Sequence, residues 1–135
     1  MNYLLEISLF GFFLGSKHYK IFNMPNQISH NALIGKLVII GISFYDSNEN
    51  LIEIFQTHGI VEKTEDSQIL QIRKNDNGIF QLPFYPETIQ EAPSGEYSEK
   101  SSSTIITKPD YMILWDLSVK DQEIIDKVKE FGYLI

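Results

Sequence analysis

The chain is expected to form a mainly β domain: a small, strongly bent antiparallel sheet or barrel of five or six strands, with a C-terminal helix and an N-terminal helix or strand. Three observations lead there. Apolar residues recur at period two in several short runs, clusters of Asn, Asp, Gly and Pro separate those runs, and the last stretch changes to helical spacing. At 135 residues a single core suffices. An apolar content of 43%, with nine Phe and seven Tyr, supplies enough buried surface to offset chain entropy.

Residues 1–34 stand apart in charge, with only Glu6 against Lys17 and Lys20, whereas residues 35–135 hold 17 acids and nine bases. They are read as an N-terminal extension, helix or strand, packed on one β-rich domain over 35–135. The apolar run Tyr3 to Leu14 contains Glu6 and ends at Gly15-Ser16-Lys17, too short for a membrane span. It also lacks the positive start and small-residue cleavage site of an export signal. Met24-Pro25-Asn26 has the polarity of an ordinary N-terminus, so a second reading starts native translation at Met24 and leaves residues 1–23 out.

The strands follow. Val38, Ile40, Ile42 and Phe44 alternate with Leu37, Ile39, Gly41, Ser43 and Tyr45, a strand apolar on both faces in its first half and therefore central. Asp46-Ser47-Asn48-Glu49-Asn50 is turn chemistry, and Leu51 to His58 returns as the second arm of a hairpin. Gly59 predicts a bulge before Ile60-Val61, and Gly41 and Gly59 are the expected sources of curvature. Gln68 to Lys74 and Ile79 to Leu82 flank Asn75-Asp76-Asn77-Gly78, a second hairpin. Pro83 and Pro86 open an expected long loop, residues 84–102. Thr104 to Thr107 and Tyr111 to Leu117 read as two further strands. A helix over 119–131 is capped by Ser118 and Gly132.

Several chemistries drop out. There is no cysteine, which removes disulfides, thiolate zinc sites and a cysteine nucleophile, and which favours a cytoplasmic location. His18, His30 and His58 fall in three different elements, and no Gly-x-Ser-x-Gly elbow occurs. The oxygen-rich turns at 46–50 and 75–78 lack the twelve-residue loop of a calcium site. No metal, cofactor or catalytic residue is expected. A net charge of −7 opposes nucleic acid, and no membrane partner is expected.

What the sequence offers is a face of acids and aromatics. Tyr85, Glu91, Glu96, Tyr97 and Glu99 in the expected loop are the candidate partner-binding residues, the aromatics as anchors and the carboxylates to steer a basic protein. Tyr111 and Trp115, four residues apart on a strand, share one face and are read as core. An alternative places a small-ligand site, with an enzymatic role left open, at a barrel mouth formed by His58, Asp110 and Tyr111. Oligomeric state stays open.

Gly35-Lys36, Gly41-Ile42, Tyr45-Asp46, Gln56-Thr57-His58-Gly59, Gly78 to Pro83, Ala92-Pro93-Ser94-Gly95-Glu96-Tyr97 and Pro109-Asp110-Tyr111 with Trp115 follow one another over about residues 35 to 115. In that order they resemble a group of small uncharacterised bacterial proteins. In size and acidity the chain also resembles the immunity proteins that neutralise secreted bacterial toxins. That likeness implies non-catalytic binding of a basic toxin through acid-rich surface.

Overall fold

The computed structural model describes residues 28–99 and 103–134. The expected segment up to residue 27, with His18, lies outside the described residues. The first described element is a single helical turn, α1 (His30–Leu33), capped by the Ser29 hydroxyl, which accepts from the Ala32 N–H at 3.2 Å.

Among the described residues eight strands follow: β1 (Leu37–Tyr45), β2 (Leu51–Glu62), β3 (Ile69–Arg73), β4 (Ile79–Pro83), β5 (Ile89–Glu91), β6 (Glu96–Glu99), β7 (Thr104–Thr107) and β8 (Tyr111–Ser118). The helix α2 (Gln122–Phe131) closes the chain. Six strands form one curved sheet in the order β4-β3-β2-β1-β8-β5, a half-barrel, and β6 and β7 form a separate hairpin. The mainly β architecture is therefore as expected. One pairing differs from an all-antiparallel sheet: β1 and β8 run parallel, from Val38 opposite Tyr111 to Tyr45 opposite Ser118.

The two faces of β1 explain why it is central. Val38, Ile40, Ile42 and Phe44 enter the larger core with Leu70, Ile72, Phe80, Ile113 and Trp115, and with Ile125 and Val128 of α2. Ile39, on the other face, packs with Met112, Leu114, Tyr97 and Ile106, so the β6–β7 hairpin covers the sheet's back. Each of these fully buried aliphatic side chains contributes on the order of 2 kcal/mol by leaving water. Tyr111 and Trp115 share the larger-core face, as read from their spacing.

Three local expectations are corrected. The helix begins at Gln122, because Asp121 and not Ser118 caps it, its carboxylate accepting from the Ile124 N–H at 3.1 Å; Ser118 ends β8. Gly59 is no bulge: the β1–β2 register runs straight through it, opposite Val38, and shifts instead at Phe44/Tyr45. Glycine is required there because a Cβ would stand 2.5 Å from the Arg73 carbonyl oxygen, where β3 crosses close to β2. Finally, residues 84–99 are not one long loop; they carry a 3-10 turn at Pro86–Thr88 and the short strands β5 and β6. Among the described residues no helix is long and apolar enough to cross a membrane.

Candidate functional site

The parallel β1–β8 pairing creates the site. Its start is fixed by Asp110, whose N–H donates to the Leu37 carbonyl at 2.8 Å while its carboxylate accepts from the Leu37 N–H at 2.9 Å. Lys36 is thereby brought beside Lys108, Pro109 and Tyr111. On the far side of β8, β5 pairs antiparallel and sets Glu91 opposite Tyr111. The Ala92 N–H then donates to the Asp110 carbonyl at 3.2 Å, which turns the chain toward β6.

Between this corner and the β6–β7 hairpin lies an open cleft of about 640 Å³. Glu91, Asp110, Tyr111 and Lys36 belong to the sheet side, whereas Glu96 and Thr107, which face each other across β6 and β7, belong to the hairpin side. Lys108 follows β7 with a positive φ of 52°, and Ser94 and Gly95 complete the rim, Gly95 at φ 133°. Among the described residues Lys36, Glu91, Glu96 and Lys108 engage in no ion pair, so their charges face solvent and whatever enters the cleft. Lys36, Ala92, residues 94–96 and residues 109–111 supply most of this lining.

The candidate residues divide accordingly. Glu91 and Glu96 are exposed and line the cleft together with Asp110 and Tyr111, so residues from both expected sites converge. Tyr85 is 39% exposed, but its ring stacks on Trp115 with centroids 5.3 Å apart and does not line the cleft. Tyr97 and Glu99 are not surface residues. Tyr97 is 1% exposed and its hydroxyl donates to the Pro93 carbonyl, pinning the rim loop. Glu99 is 5% exposed and its carboxylate meets His58 Nδ1 at 2.5 Å. His58, in turn, sits behind the hairpin and does not reach the cleft with Asp110 and Tyr111. Its Nε2 is 3.1 Å from the Asn75 side-chain nitrogen, in the turn between β3 and β4.

Two carboxylates elsewhere are perturbed. Glu62 is held below the usual carboxylate range by the Gln71 amide at 3.0 Å and by Arg73 at 2.9 Å. Asp116 is pushed up to about 6 by burial, and neither of its oxygens has a hydrogen-bond partner among the described residues. Neither residue lines the cleft.

Lys36, Ser94, Gly95 and Lys108 were not singled out in the sequence as site residues. The only signal that could find the lysines is the register of two parallel strands, through a contact spanning 73 residues. Among the described residues no group of three or more His, Cys, Asp or Glu side chains is placed to hold a metal. No protein-family model, curated protein or solved structure matches the chain.

Proposed function

We propose that this is a non-catalytic binding domain that receives a basic protein in the cleft between the β5–β8 corner and the β6–β7 hairpin, in the manner of an immunity protein against a toxin. The observation that carries this reading is the pair of exposed carboxylates, Glu91 and Glu96, on the two sides of one cleft, with no ion pair to either among the described residues. They are backed by 17 acids against nine bases over residues 35–135, a field that draws a cationic partner toward the domain. Lys36 and Lys108, at the same cleft, demand an acidic group from the partner and so set its orientation.

A second reading keeps the cleft and changes the occupant. Its volume lies in the range of small-molecule sites, roughly 300–1,000 Å³, and Asp110 and Tyr111 stand in it as a polar and an aromatic contact. His58 drops out of that site.

The test is charge reversal. Glu91→Lys with Glu96→Lys should slow association with the basic protein retained from the source lysate and flatten its dependence on salt, because steering falls with the interacting charge. Association of the double variant that stays as fast and as salt-dependent as that of the unaltered domain would sink the proposal.

A further inference from the structure

The turn between β3 and β4 holds the only Asn-Gly pair of the sequence, Asn77-Gly78. Asn77 is exposed and stands at a φ of 67°, which asparagine tolerates better than most residues. Every main-chain polar group of the pair is engaged. The Asn77 N–H donates to the Lys74 carbonyl at 2.9 Å, and the Asn77 carbonyl accepts from Arg73 Nη1 at 2.8 Å. The Gly78 N–H donates to the Asp76 carboxylate at 2.8 Å, and the Gly78 carbonyl accepts from the Lys74 N–H at 2.9 Å.

We propose that Asn77 is a site of spontaneous covalent modification, conversion of its side-chain amide to aspartate and isoaspartate, and that Asp76 and Arg73 set its rate. The Gly78 nitrogen attacks Cγ of Asn77. A C–N bond forms and closes a five-membered succinimide, and the side-chain nitrogen leaves as ammonia, taking the Gly78 amide proton. Water then opens the ring. Addition at the side-chain carbonyl gives aspartate, and addition at the main-chain carbonyl gives isoaspartate, whose main chain is longer by one carbon. Glycine at the attacking position has no Cβ to crowd the approach. The fold, however, withholds the nucleophile. The attacking lone pair lies along the direction of the Gly78 N–H bond, and that direction is occupied by the Asp76 carboxylate. To aim it at Cγ, the peptide plane between Asn77 and Gly78 must turn, which takes the Gly78 N–H off Asp76 and the Asn77 carbonyl off Arg73. Modification therefore passes through local opening of the turn, a motion the rest of the sheet does not have to share. Asp76 and Arg73 are positioning residues that hold the two ends of this plane. Isoaspartate would lengthen the β3–β4 connection and loosen Arg73, which also pairs with Glu62 at 2.9 Å. None of these residues lines the cleft, so the inference stands apart from the binding reading.

Incubation of the whole folded chain at mildly alkaline pH, followed by peptide mapping, tests it. Mass spectrometry reads the amide-to-acid mass gain residue by residue, and altered retention marks isoaspartate. Conversion should appear at Asn77 ahead of Asn31, Asn48, Asn50 and Asn75. In Asp76→Ala it should run roughly ten-fold faster, the factor expected when a donor is freed from a charged acceptor. Asp76→Asn keeps an acceptor and should stay close to the wild-type rate, which a loss of the charge alone would not produce. Arg73→Gln frees the other end of the plane and should also speed conversion, which covers the case that Asp76→Ala does not fold. Conversion led by another of these asparagines, or an Asn77 rate that neither Asp76→Ala nor Arg73→Gln raises, overturns the proposal.

Discussion

Gly132 lies directly against the backbone of Gln81, and the Tyr133 N–H donates to the Gln81 carbonyl at 2.8 Å. This contact folds the chain after α2 along β4, which among the described residues is an edge strand of the sheet, and so covers part of that edge. The substitution Gly132→Ala should therefore be severe. Its Cβ would fall 1.9 Å from the Gln81 oxygen, and Gly132 holds a φ of 94°. A loss of about 2 kcal/mol or more is expected in denaturant unfolding; a loss under 0.5 kcal/mol would show that the edge contact is dispensable.

Asp121 carries the start of α2 alone, since Ser118 is committed to β8. Asp121→Ala should cost about 1 kcal/mol, while Ser118→Ala should cost a few tenths at most. Thermal unfolding of the two variants side by side distinguishes them, and equal losses would restore the cap to the serine.

Asp116 gives stability a definite slope with pH. Its folded value of about 6 lies above the ordinary 3.8, so the unfolded chain ionises first. Below pH 3.8 both states are protonated and the residue costs nothing. Between 3.8 and 6 folding stability falls, and above 6 the whole penalty is present. The rise corresponds to a ceiling of about 3 kcal/mol, reduced to about 1 kcal/mol because the residue is only half-buried. Asp116→Asn should therefore stabilise the domain by about 1 kcal/mol at pH 7 and leave it unchanged near pH 3.5. A difference that is independent of pH would contradict this assignment.

Residues of one strand should separate cleanly. Along β6, Glu96 and Ser98 face out while Tyr97 and Glu99 face in. Tyr97→Ala should cost about 3–5 kcal/mol, as for other buried aromatics, whereas Glu96→Lys should change unfolding by less than about 0.5 kcal/mol. If both variants unfold alike, the inward face of the hairpin has been misassigned.

This strand also marks where the sequence stops being legible. The alternation Glu96-Tyr97-Ser98-Glu99 carries the inward and outward pattern at period two, but four residues beside Pro93 and Gly95 read as loop chemistry, and all four then look like surface. Burial of an acid could not be read locally, because its partner His58 is 41 residues away. The hairpins around Asp46–Asn50 and Asn75–Gly78 were legible for the opposite reason. Asp46, for example, accepts from the Asn50 and Asn48 N–H groups at 2.9 and 2.8 Å, a bond pattern contained within five residues, which also holds its carboxyl below the usual range. The cleft depends on the parallel β1–β8 register, which follows from packing and not from any local pattern.

Capture from a lysate of the source organism, on immobilised wild-type domain and on the Glu91→Lys/Glu96→Lys variant in parallel with a salt gradient, tests the binding claim most directly. A basic protein retained by the wild type, eluting at moderate salt and absent from the variant, is the expected result. Retention of no basic protein, or equal retention by both, would contradict a cleft that binds through Glu91 and Glu96.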